Sequence, residues 1–159
     1  MGKEEISFIQ KCFKVLCESH PEKFEIKKIV DDENIIPLNM RDEKNSNKWK
    51  LTKSNIKEDD TLELEKKFNI KLPSMYKVFL CTYNHMFRKL EGVFDDFYQE
   101  NNKNVVVHIL EQPSNAPLLK VEQLWEDCKD LIAFGYIHIA DFNGWGPLCF
   151  DVVNNYELV

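Results

Sequence analysis

Glycine is scarce in this chain. There are five in 159 residues, and none fall into GxGxxG or GxxxxGK. A loop that cradles phosphates needs such clusters so that backbone amides can approach the ligand, so that class of nucleotide site is excluded. Basic charge is also short: Lys and Arg total 21 against 27 Asp and Glu, a net charge of −6. Nucleic-acid binding rests on neutralising phosphates, and attraction to anionic membranes needs the same sign, so both are disfavoured. Lys27-Lys28 and Lys66-Lys67 are isolated pairs, and no basic stripe carries interleaved aromatics. No apolar run approaches the ~20 residues that span a bilayer. Acids stand at Glu4 and Glu5, where a signal peptide would be basic, and Ile6 stands where a myristoylation signal needs Ser or Thr. The five cysteines, Cys12, Cys17, Cys81, Cys128 and Cys149, are odd in number and include no CxxC. A disulfide framework and a zinc knuckle are therefore not expected. Their apolar neighbours predict reduced, mostly buried thiols and a cytoplasmic protein.

What is present is enough for a core. Apolar residues make up 43% and charged residues 30%, the balance of a globular domain. The length fits one domain, read here as 1–159, and no repeat or Gly/Ser linker divides it. Ile6, Ile9, Phe13 and Leu16 recur at helical spacing over Glu4 to Cys17, and Pro21 ends the run. Phe24 to Val30 reads as a short strand or part of a helix. Asp31 to Asn47 reads as a long surface loop or irregular excursion. Asp60-Thr61-Leu62-Glu63 has capping-box spacing with Asp60 as the cap, and Leu64 and Phe68 follow on one face. Pro73 suits the first position of the next helix, whose stripe is Met75, Tyr76, Phe79, Leu80 and Tyr83. A turn is expected near Gly92 and Asp95-Asp96, then a strand over Val105–Leu110. Val121, Leu124, Trp125, Cys128 and Leu131/Ile132 form the cleanest helical stripe.

The last stretch reads as a hairpin. Tyr136–Phe142 and Leu148–Val153 flank Asn143-Gly144-Trp145-Gly146, which tolerates positive φ. With those residues as the loop, Phe142 faces Pro147, Ile139 opposes Phe150 and Ile137 opposes Val152 on a core face. His138 then opposes Asp151 on the other face as an ion pair, and Cys149 opposes Ala140. The expected fold is α+β: an antiparallel or mixed sheet of about four to six strands packed with about four helices.

Chemistry has few candidates. Cys149 with His138 suggests a thiol–imidazole pair, without an oxyanion-type turn around it. His138, Asp141, Asp151 and His108 lack the spacing of a metal site, and no cofactor is expected. Glu91, Asp95, Asp96 and Glu100 with Phe94, Phe97 and Tyr98 form an acidic, aromatic stretch. It reads as a solvated strand edge or loop, or as a docking patch for a basic protein.

Two segments resemble a known family. Leu62 through Leu80, with Leu72-Pro73, Tyr76, Phe79-Leu80 and then Asn84, resembles the helix–Leu-Pro–helix signature of the SUKH superfamily (Smi/Knr-type domains). Phe134-Gly135-Tyr136 to Asp141 with Cys149-Phe150-Asp151 resembles that family's terminal hairpin. The likeness covers 49–153, leaving 1–48 as an N-terminal helix and irregular segment. His85 stands where the family usually has Gly after Asn. The resemblance implies a SUKH-like fold and a non-catalytic protein-binding domain. Its bacterial members resemble immunity proteins that neutralise toxins, and its fungal relatives regulate cell-wall synthesis. The expectation is a cytoplasmic, non-enzymatic binder of a basic toxin domain, with partner-binding residues Asp95, Asp96, Phe97, Tyr98 and Glu100. It would have no direct nucleic-acid or membrane partner. A regulatory scaffold for an endogenous partner is the second reading, and a Cys/His enzyme the last. The oligomeric state is not legible.

Overall fold

The computed structural model describes residues 2–26, 36–93, 104–142 and 146–159. They build an α+β fold with five α-helices, a five-stranded antiparallel sheet and a two-stranded one. The chain forms two compact units: Met1–Met86 with Glu111–Leu119, and Phe87–Leu110 with Lys120–Val159.

The first unit is helical. α1 (Lys3–Ser19) has Glu4 and Glu5 in its first turn, where carboxylates complement the positive end of the helix dipole. Ile9 and Phe13 are buried, one turn apart. The Phe13 ring stacks on Phe79 at 5.8 Å and meets Tyr83 edge-on at 5.2 Å. Pro21–Phe24 is a 3-10 turn, and Glu25 makes a single bridge to Lys48; the rest of the strand or helix expected over Phe24–Val30 lies outside the described residues. From Ile36 on, the stretch expected over Asp31–Asn47 as a surface loop or irregular excursion carries buried side chains. Leu38–Met40 is another 3-10 turn, Ile36 and Met40 are buried, and Arg41 bridges Trp49. Met40 is fully enclosed, and the Ser114 amide donates to its Sδ at 3.2 Å. An unbranched thioether fills such an irregular gap well.

β1 (Thr52–Lys53) leads to α2 (Glu58–Phe68). That helix begins two residues before Asp60. Asp60 is not the cap: its carboxylate reaches back to the Lys57 amide at 2.7 Å. Three acids, Glu58, Asp59 and Asp60, crowd the first turn and favour the earlier start. Asn69 closes the helix at φ 52, a left-handed cap that asparagine tolerates. α3 (Ser74–Thr82) starts just after Pro73, whose carbonyl accepts from the Tyr76 and Lys77 amides. Its deepest residues are Val78 and Leu80; Tyr76 and Phe79 are half-buried, and Met75 is exposed. β2 (Tyr83–Asn84) pairs antiparallel with β1.

The second unit is a meander, β3 (Lys89–Val93), β4 (Asn104–Ile109), β5 (Tyr136–Phe142), β6 (Gly146–Asp151) and β7 (Glu157–Leu158), paired in that order. Gly92 lies inside the ladder opposite Val105, so the turn expected near it does not form there. Asp95-Asp96 lies outside the described residues. The long helical stripe divides at Cys128 into α4 (Leu119–Asp127) and α5 (Lys129–Ala133). Val121 and Trp125 are buried. Gly135, at φ 87, turns the chain into β5, a conformation costly for any residue with a Cβ.

The hairpin forms, but in a different register. Phe142 faces Gly146 rather than Pro147, and the pairing shifts again between His138 and Ala140. Ile139 is therefore bulged out instead of opposing Phe150. Ile137 opposes Phe150, His138 opposes Cys149, and Tyr136 opposes Asp151. The Trp125 indole donates to the His138 carbonyl at 2.7 Å, right at the irregularity. A bulge frees a backbone group from the ladder and redirects it, here towards a helix.

Candidate functional site

Asp95, Asp96, Phe97, Tyr98 and Glu100 lie outside the described residues. The segment that carries them joins β3 to β4, whose ladder closes on the pair Val93 and Asn104. On β3 itself, Glu91 is exposed and pairs with Lys89 at 3.4 Å.

The Leu-Pro corner explains itself structurally. Glu65 of α2 is buried, accepts from the Leu72 amide at 2.7 Å and pairs with Lys77 of α3 at 2.6 Å. Burial opposes its charge, but the Leu72 amide and the Lys77 ammonium outweigh that and hold the carboxyl below its usual range. One carboxylate thus clamps the end of one helix, the turn and the next helix. Leu72 and Leu80 are buried, and Pro73, Tyr76, Phe79 and Phe150 are half-buried, so the motif's role here is packing.

Behind α3 lies a polar cluster that sequence reasoning missed. Gln112, 2% exposed, donates through Nε2 to the carbonyls of Leu80 at 2.6 Å and Tyr83 at 3.1 Å. Ser54 donates to the same Leu80 carbonyl at 2.8 Å. These side chains satisfy carbonyls that α3 leaves open at its C-terminus. Asn84 donates to the Lys53 carbonyl at 3.1 Å and fixes β1 beside β2. His85 takes the place of the expected glycine. Its backbone bonds Gln112 in both directions, at 2.9 and 2.8 Å, and its ring is fully buried against Phe13 and Phe79. Burial pushes the imidazole down to about 4. No local signal marks Gln112, because its partners lie about thirty residues away in sequence.

The expected pair of His138 with Asp151 is absent. Asp151 instead caps the β6–β7 turn, accepting from the Val153 and Asn154 amides at 3.0 and 3.1 Å and from Asn154 Nδ2 at 2.7 Å. The Asn154 side chain, with those amides, holds its carboxyl below the usual range. His138 is buried and reaches Asp141 at 3.1 Å, the Ala140 carbonyl at 2.9 Å and Cys128 Sγ at 3.6 Å. Cys149 sits directly opposite it rather than diagonally. The thiols are less buried than expected: Cys12 is exposed, Cys17, Cys81 and Cys128 are half-buried, and only Cys149 is buried. All five are free. His108 opposes Asp141 across β4 and β5. Among the described residues no group of three or more His, Cys, Asp and Glu side chains is placed to hold a metal ion. No helix among them is long and apolar enough to cross a membrane.

Neither a curated protein nor a solved structure matched the chain. A family model did, over residues 55–157. That span holds the Glu65 clamp, the Leu-Pro corner, Asn84 and the β5–β6 hairpin, while α1 packs onto α3 from outside it. The match covers well over half of the residues, and the chain belongs to the SMI1 / KNR4 family (SUKH-1).

Proposed function

We propose that this protein is a non-catalytic, cytoplasmic immunity protein that neutralises a toxin by stoichiometric binding. Family membership carries the reading, because SUKH domains are often immunity proteins. The net charge of −6 supports a basic partner, since opposite charge speeds encounter and steers orientation. The proposed contact is the acidic, aromatic stretch of Asp95, Asp96, Phe97, Tyr98 and Glu100. Its carboxylates would attract the toxin, and its rings would supply desolvated anchors.

The test is co-expression with the toxin domain encoded beside this gene. Growth should be restored, and the two chains should elute together at one-to-one stoichiometry. If no toxin gene adjoins it and the protein co-purifies with a housekeeping protein instead, the regulatory-scaffold reading replaces this one.

A further inference from the structure

Three side chains of the second unit stand in line: Cys128 at the break between α4 and α5, then His138 and Asp141 on β5. Their contacts fix the tautomer of the imidazole. Nε2 lies 2.9 Å from the Ala140 carbonyl, which can only accept, and 3.1 Å from Asp141 Oδ1. Nε2 therefore carries the proton. Nδ1 is left with its lone pair, and it faces Cys128 Sγ at 3.6 Å. The thiol donates to this nitrogen. A nucleophile beside a base, with the base oriented by a third group, is the arrangement that activates a thiol. His138 is only 5% exposed, so its neighbours pack around the ring. Cys128 itself is half-buried and so open to a small reagent.

The other thiols differ. Burial pushes Cys17 and Cys149 up, and Cys81 up to about 11 with help from Asp60 and Glu58. Such thiols stay protonated and react slowly. Cys12 is exposed on α1 and serves as the solvent-facing comparator.

We propose that Cys128 is a thiol-modification site, at which His138 removes the thiol proton as the sulfur attacks a small disulfide. The S–H bond breaks and its proton passes to Nδ1. The sulfur forms a new S–S bond to one half of the reagent, and the old S–S bond breaks. The other half leaves as a thiolate and recovers a proton from the imidazolium or from water. The disulfide is the oxidant, and one equivalent of it yields the mixed disulfide and one free thiol. Asp141 is a positioning residue that holds Nε2–H. The site is independent of toxin binding.

The experiment treats the full-length protein with oxidised glutathione near neutral pH and follows each cysteine by peptide mapping. Cys128 should form its mixed disulfide at least about tenfold faster than Cys12. His138→Gln should erase that advantage while Cys12 keeps its rate. Asp141 has an exposed side chain, so Asp141→Asn leaves folding intact, and it should slow Cys128 a few-fold without touching Cys12. A Cys128 rate no greater than that of Cys12 in the parent protein overturns the proposal even if His138→Gln fails to fold. So does an unchanged Cys128 rate in Asp141→Asn together with folded His138→Gln.

Discussion

His85 should make this protein acid-sensitive in a pH range where its carboxylates are silent. The ring is fully buried against Phe13 and Phe79, and burial pushes its pKa from 6.5 down to about 4. A depressed histidine pKa means that the folded state refuses a proton the unfolded chain accepts. Stability is therefore complete above pH 6.5 and declines as pH falls towards about 4, where the loss levels off. At about 1.4 kcal/mol per pH unit, the full loss is ~3 kcal/mol. Carboxylates held low in the folded state, such as Glu65 and Asp151, add their own losses only below about pH 4.5. The clean window runs from pH 7.5 to 5, where His85 alone should account for about 2 kcal/mol. For a chain of this size that is a fall in Tm of roughly 4–8 °C. Urea unfolding at both pH values, followed by far-UV circular dichroism, measures it. The partner experiment is His85→Leu, which keeps the site apolar and removes the titration. Its stability should be nearly flat between pH 7.5 and 5. If the variant loses as much as the parent over that interval, the assignment to His85 is wrong.

Glu65→Ala should destabilise by ~3 kcal/mol, because it strips both the Leu72 amide and the half-buried Lys77 of their shared partner; an equilibrium unfolding curve within 1 kcal/mol of the parent, about the scale of a surface pair, would contradict the clamp. Leu80→Ala, at a position 1% exposed, should cost about 2–5 kcal/mol in the same assay. Trp125→Phe should cost less area than truncation to Ala but still leave the His138 carbonyl without its indole donor, so a loss of about 1–3 kcal/mol is expected. Lysine at both Asp95 and Asp96 should weaken toxin binding and flatten its salt dependence; unchanged binding at low and high salt would move the contact elsewhere.

Local pattern made some elements legible. The stripe of Ile9 and Phe13 located α1, Pro73 marked the junction of α2 and α3, and Tyr136–Phe142 emerged as a strand with the bounds expected. The motif residues Leu72 and Leu80 proved to be core. Other features rest on partners distant in sequence. Met40 is buried by contacts including Ser114, Gln112 serves carbonyls near the end of α3, and the Cys128 break sits beside a β5 histidine. The proposed docking residues fall outside the described residues, so their grouping rests on sequence alone.

The sequence by itself determined the core-facing stripe of α1, the existence of the final hairpin and the family, because these depend on spacing along one stretch of chain. It also determined the acidic balance. Only the tertiary structure decided the register of that hairpin. A strand's period of two cannot reveal one residue missing from a loop or one extra residue in a bulge. Here those two shifts part His138 from Asp151 and seat it opposite Cys149, within reach of Cys128 and Asp141. The Trp125 indole bonds the backbone at the bulge, and a contact between a helix and a strand leaves no trace in either segment alone.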